Sequence, residues 1–133
     1  NWGSELTTSW LLDDTVSIGG HVTFVDTDIR DNDAELLNRP KWRLGTDVSW
    51  KGLKDITLTG RALYVGRVLD SSIPTGDVAL ADHTRFDVSA NWRFAPGWDV
   101  SLAVDNIFDN KYEEAVGFRA PGILPRMTLR LVF

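Results

Sequence analysis

Apolar and polar residues alternate one by one over long stretches of this chain. Trp42, Leu44, Thr46, Val48 and Trp50 are separated by Arg43, Gly45, Asp47 and Ser49. Phe86, Val88, Ala90, Trp92 and Phe94 are separated by Asp87, Ser89, Asn91 and Arg93, and Met127, Leu129, Leu131 and Phe133 by Thr128, Arg130 and Val132. A period of two belongs to a β-strand with one apolar and one polar face. No window sustains the i, i+3, i+4 spacing of an amphipathic helix. The template predicts about seven strands, near 4–12, 15–26, 41–50, 56–66, 83–94, 98–105 and 126–133. The second shows Val16, Ile18, Val22 and Phe24 on one face, the fourth Ile56, Leu58, Ala62 and Tyr64, the sixth Trp98, Val100, Leu102 and Val104.

The connections alternate too. Asp13-Asp14, the stretch 51–55 and Ala95-Pro96-Gly97 are short, with turn-forming residues. Residues 27–40, 67–82 and 106–125 are long and rich in Gly, Pro, Asn and Asp. Every long loop therefore leaves the same end of an antiparallel up-and-down meander. Outer-membrane barrels have this asymmetry, with short periplasmic turns and longer extracellular loops. A strand of about ten residues tilted by about 45° climbs roughly 23 Å, close to the ~25 Å apolar band of such barrels.

The aromatic residues sharpen the expectation. The 133-residue chain carries 6 Trp, 6 Phe and 2 Tyr. On the predicted strands Trp10, Trp50, Phe94, Trp98 and Phe133 lie beside the short turns or the terminus, and Phe24, Trp42, Tyr64 and Phe86 beside the long loops. Two belts separated by aliphatic residues are the interfacial girdles of a membrane barrel. Arg43, Asp47, Arg61, Arg85, Asp87, Asn91, Arg93, Asp105 and Arg130 share the opposite face, which a wet lumen tolerates and a dry core does not. The competing expectation is a soluble β-barrel or sandwich, perhaps lipocalin-like, that binds a small ligand. The stripe Phe86, Val88, Ala90, Trp92 separates the two: lipid-facing in a membrane barrel, enclosed in a soluble core. A smaller pore or membrane enzyme with an eighth strand is a third. Seven strands cannot close a single-chain outer-membrane barrel, which needs an even count of at least about 8. An arc of a larger barrel is expected.

Charge and composition exclude other classes. Net charge is -5, against nucleic acid, and 0 Cys removes disulfides, thiolate metal sites and Cys nucleophiles. The loop carboxylates Asp26, Asp28, Asp31 and Asp33 are weak calcium candidates, but Arg30 stands among them without the glycine of an EF-hand. His21 and His83 lack zinc-ligand spacing. Glu113-Glu114 are adjacent and point apart, and Ser71-Ser72 with His83 have no triad spacing. No active site, cofactor or metal is expected, so the chain reads as no enzyme.

The stretch Val104-Asp105-Asn106-Ile107-Phe108-Asp109-Asn110-Lys111-Tyr112 resembles the penultimate-strand motif of TonB-dependent outer-membrane receptors: a hydrophobic strand, then Asn, an aliphatic residue, Phe, Asp, two residues and Tyr. Gly117-Phe118 and Pro121-Gly122 resemble that family's next segment, with its Arg displaced to Arg126. Met127, Leu129, Leu131 and Phe133 resemble the terminal strand read by barrel-assembly machinery. Asn38-Arg39-Pro40-Lys41-Trp42 and the run Tyr64-Val65-Gly66-Arg67-Val68-Leu69-Asp70 are similar to segments of the cobalamin and siderophore branch.

The resemblance implies a 22-stranded transmembrane barrel with a plug domain in its lumen. It implies import of a scarce nutrient, a ferric siderophore or cobalamin, across the outer membrane of a Gram-negative bacterium. The expected partners are outer-membrane lipid, the rest of the barrel with its plug, the inner-membrane energy-transducing TonB complex, the assembly machinery and the ligand. Residues 1–133 would be the C-terminal portion of such a barrel, with plug and earlier strands absent. By position, Arg67, Asp70, Arg119 and Arg126 are the charged candidates for the extracellular ligand vestibule, and Tyr112 and Phe118 the aromatic ones. Asn106, Asp109 and Asn110 are expected to shape the last loop through side chain to backbone hydrogen bonds, with Phe108 and Tyr112 anchoring it by packing.

Overall fold

A computed structural model describes residues 2–26 and 36–132. Seven strands form one antiparallel sheet in sequence order: β1 (Trp2–Leu11), β2 (Val16–Asp26), β3 (Trp42–Leu53), β4 (Ile56–Val65), β7 (His83–Ala95), β8 (Trp98–Asp105) and β11 (Leu124–Leu131). The described residues contain no helix.

The alternation sets the register. Trp10 pairs with Ile18, Ile18 with Val48, Val48 with Gly60, Gly60 with Val88 and Val88 with Val104, one continuous apolar row. The neighbouring row on the other face runs from Gly19 to Asp47, Arg61 and Asp87. Val104 pairs in turn with Pro125 of β11, and side chains two apart share a face, so the apolar row assigns every strand.

The sheet encloses no core. Among the described residues only Val65 and Leu80 are buried apolar side chains. Phe86, Val88 and Trp92 are 38%, 42% and 48% exposed, and Trp50, Leu58, Leu102, Met127 and Leu129 are exposed with them. A soluble monomer rarely exposes a contiguous apolar patch beyond a few hundred Å². The discriminating stripe therefore lies open, which argues against the sandwich and for a wall with lipid on its apolar face.

Short turns close one end. Asp13 Oδ1 accepts the amides of Thr15 and Val16 at 2.7 and 2.8 Å, an Asx-type turn. Asp55 and Gly97 take positive φ, 60° and 76°, in the other two. The strand expected to stop at Trp50 continues to Leu53, because a bulge between Trp50 and Leu53 absorbs the extra residues. β11 starts at Leu124, earlier than its alternation suggests, with Pro125 tolerated on an edge strand.

The long connections carry structure the sequence did not announce. The second contains a hairpin of β5 (Val68–Ser72) and β6 (Gly76–Leu80), and the third a small one of β9 (Glu113–Ala115) and β10 (Phe118–Arg119). Gly76 and Gly117, at φ 66° and 82°, supply the left-handed residues of their turns.

Candidate functional site at the loop end of the polar face

Asn106 organises the last loop. It is 2% exposed and sits at φ 52° directly after β8. Its side-chain amide donates to the carbonyls of Asn110 and Pro121 at 2.9 and 3.2 Å, and its Oδ1 accepts the Asn110 amide at 2.9 Å. Its own backbone amide donates to Asp87 Oδ1 at 2.9 Å, while Asn110 donates from Nδ2 to the Thr84 carbonyl at 2.8 Å. The loop is thereby tied to β7. Phe108 meets Phe86 edge-on at 5.1 Å, and Tyr112 stacks on His83 at 3.7 Å with ring planes 9° apart. The motif is thus a clamp, with its aromatic residues as anchors.

The clamp holds Tyr112 over the polar face, where a cavity of about 300 Å³ opens. The sheet contributes Arg43, Leu63, Val65, His83 and Arg85, and the loops contribute Asn38, Val68, Leu80, Tyr112, Glu113 and Glu114. Arg85 Nε donates to Asp87 Oδ2 at 3.1 Å. Among the described residues Arg43 has no ion pair. Two guanidiniums, an imidazole stacked on a phenol and two carboxylates therefore surround a wet space at the loop end. Such a set can bind a polar, partly anionic and aromatic ligand. Among the described residues no group of three or more His, Cys, Asp or Glu is placed to hold a metal ion.

The vestibule candidates fall in different places. Tyr112 lines the cavity. Phe118 and Arg119 are exposed on β10, and Arg67 is exposed between β4 and β5. Asp70 is 6% exposed and committed elsewhere: its carboxylate accepts the Ser71 amide at 2.8 Å and the Val116 amide at 2.7 Å. Those bonds, Val116 first, hold its pKa below the usual carboxylate value. Arg126 lies within β11 and grips Asp105 through two bonds of 2.7 and 2.8 Å. The hairpins thus bring Asp70 against β9–β10 and leave Arg126 apart. Arg43, His83 and Arg85 were not singled out from the sequence as site residues. The available signal was the cross-strand row Arg43–Val65–His83 at the loop end of the polar face. Asp26 pairs with Lys41 at 3.3 Å, and the other calcium candidates, Asp28, Asp31 and Asp33, lie outside the described residues.

Aromatic rings cluster at both ends of the sheet. Trp2 meets Phe24 at 5.1 Å and Phe24 meets Trp42 at 4.5 Å at the loop end. Trp92, Phe94 and Trp98 follow one another at 5.5 and 5.7 Å at the turn end. Trp2 and Trp92 join these clusters without having been assigned to them from the sequence. Met127, Leu129 and Leu131 are exposed on the apolar face of β11, and Phe133 lies outside the described residues.

An open meander with an exposed apolar face, a charged opposite face and all long loops at one end is a wall segment of a transmembrane β-barrel. The family described as TonB dependent receptor-like, beta-barrel matches residues 1–107, and the chain belongs to it. It is accordingly a protein of the Gram-negative outer membrane. The match ends one residue past Asn106, so it rests on the strands upstream rather than on the motif that carries the resemblance. No curated protein matches the sequence. Among solved structures, the siderophore receptor PiuA from Acinetobacter baumannii is 19% identical, with a TM-score of 0.78 over 97% of this chain and 21% of that one. The ferric-catecholate import receptor Fiu from E. coli K12 is 18% identical, TM-score 0.77, over 98% and 20%. FpvAI, in its complex with pyocin S2, is 18% identical, TM-score 0.79, over 97% and 18%. The chain thus spans about a fifth of the length of these receptors.

Proposed function

We propose that this chain forms part of the wall and extracellular vestibule of a receptor that imports a ferric siderophore. The carrying observation is the cavity between Arg43, Arg85 and the stacked pair His83–Tyr112, set where the long loops meet the polar face. Cationic and aromatic groups suit a ligand with anionic oxygens and flat rings. The siderophore receptors similar in fold favour that cargo over cobalamin. The polar face lines the lumen against a plug domain, the TonB complex supplies the energy, and the belts Trp10, Trp50, Phe94 and Trp98 with Phe24, Trp42, Tyr64 and Phe86 sit at the two membrane interfaces. Met127, Leu129 and Leu131 present the terminal strand to the assembly machinery. The protein carries its ligand unchanged and needs no cofactor of its own.

Deleting the gene and measuring uptake of iron-loaded siderophores under iron limitation tests this. Loss of uptake of at least one ferric siderophore, with cobalamin-dependent growth intact, is expected. Loss of cobalamin uptake alone, or no loss of either, would contradict it. Arg43→Ala in the full-length receptor should weaken ligand binding about tenfold, the scale of one charge-assisted contact.

A further inference from the structure

Asp87 joins the two halves of the cavity site without lining it. Arg85 and Asp87 are two apart on β7, so both side chains stand on the polar face. Arg85 Nε and Nη2 both lie 3.1 Å from Asp87 Oδ2. Asp87 Oδ1 accepts the Asn106 amide at 2.9 Å. One oxygen of a single carboxylate therefore holds the sheet's guanidinium, and the other holds the loop. From Asn106 the connection runs on to the Asn110 amide, two residues before Tyr112. The Asp87 side chain is 15% exposed, so water competes little for either oxygen. Arg61 is its cross-strand neighbour, yet among the described residues the ion pair of Asp87 is with Arg85.

We propose that Asp87 is a positioning residue for ligand binding: it fixes the Arg85 guanidinium relative to the loop that carries Tyr112. An arginine on an open sheet samples many rotamers, and a carboxylate bonded to it removes most of them before a ligand arrives. The guanidinium keeps further N–H donors for the ligand after bonding Asp87. Because the same carboxylate anchors Asn106, the cation and the aromatic platform are set against one another rather than separately. The inference rests on the ligand reading of the cavity and adds a residue that reading does not use.

Binding of an iron(III)-loaded hexadentate tris-catecholate to the full-length receptor tests it. Asp87→Asn should weaken binding about fivefold, the scale of one long side chain that must be immobilised when the ligand arrives. Its amide oxygen still accepts from Asn106, but its NH2 group cannot accept from Arg85. Hydrogen exchange at the Asn106 amide should therefore keep the parent rate in Asp87→Asn and speed up in Asp87→Ala. In an Arg85→Gln background Asp87→Asn should leave binding within about twofold. Equal weakening in both backgrounds would mean that Asp87 serves the fold alone, and overturns the proposal while the cavity reading stands. Unchanged binding in Arg85→Gln itself overturns both. Phenylglyoxal labelling of Arg85 needs no ligand, so it decides the matter if the probe does not bind. Asp87→Asn should raise the labelling rate, and an unchanged rate overturns the proposal.

Discussion

Asp70 Oδ2 accepts the backbone amide of Val116 at 2.7 Å, across 46 residues of sequence. The bond joins the β5–β6 hairpin to the β9–β10 hairpin. The Asn38 amide donates to the Leu69 carbonyl at 2.7 Å, which ties the connection before β3 into the same assembly. Three connections that leave the sheet at different strands are thus tied together beside one cavity.

The bond makes the loops sensitive to acid. The Asp70 carboxyl titrates below its ordinary value in the folded state, because the Val116 and Ser71 amides favour the charged form. A depressed folded pKa gives a contribution that is complete above the unfolded value of about 3.9 and lost as pH falls through the folded one. Amide exchange at Val116 should therefore be protected from pH 5 upward and lose protection only below about pH 4. Asp70→Ala should remove that protection at every pH. Equal protection in the variant would show that the bond does not hold the hairpins together.

Asn106→Ala should lower the folding stability of the receptor. The side chain makes three hydrogen bonds from a position that is 2% exposed and adopts φ 52°. Leaving the partner groups unsatisfied costs about 1–3 kcal/mol, and alanine is less suited than asparagine to left-handed backbone. The temperature at which the folded barrel loses its compact gel mobility is the readout. Asn106→Gly, which relieves only the backbone term, should not recover it.

The Arg126–Asp105 pair should matter little for stability. Its bonds are bidentate, but the Arg126 side chain is more than half exposed. Exposed pairs are worth about 0–1 kcal/mol. A double-mutant cycle with Arg126→Gln and Asp105→Asn should give a coupling inside that range, and a larger one would mean that the pair is shielded from water in the assembled receptor.

Lysine should discriminate the two faces. Val88→Lys, in the middle of the apolar row, should destabilise the barrel by about 2–4 kcal/mol, whereas Ser89→Lys, one residue on, should cost much less. Comparing chemical unfolding of the two variants in lipid vesicles reads the difference.

The seven long strands were legible because the sheet has two different solvents. Lipid on one side and water on the other write a period of two into every strand, so the residues near Trp42–Trp50 and Phe86–Phe94 needed no partner to be read. The loops lack that constraint. Val68-Leu69-Asp70-Ser71-Ser72 shows no alternation, and β9 and β10 are too short to show any. Asp70 looked like a ligand group because a loop carboxylate gives no hint of an amide 46 residues away. Asn106 was readable as a turn former, but its burial and its bond to Asp87 arise only when β7 and β8 pair. The same holds for the cavity: Arg43 and His83 share one cross-strand row and Arg85 lies on the next one of that face, and only the register brings them together.

The account stands on one orientation: Val88 faces lipid and Ser89 faces the aqueous lumen. The chain has 0 Cys, so a cysteine placed at either position carries a spin label at one site within it. In the full-length receptor in bilayers, the label at 88 should be relaxed mainly by oxygen, which partitions into lipid, and the label at 89 mainly by a water-soluble nickel chelate. The reverse pattern, or equal accessibility to the chelate at both positions, would contradict the membrane-wall reading.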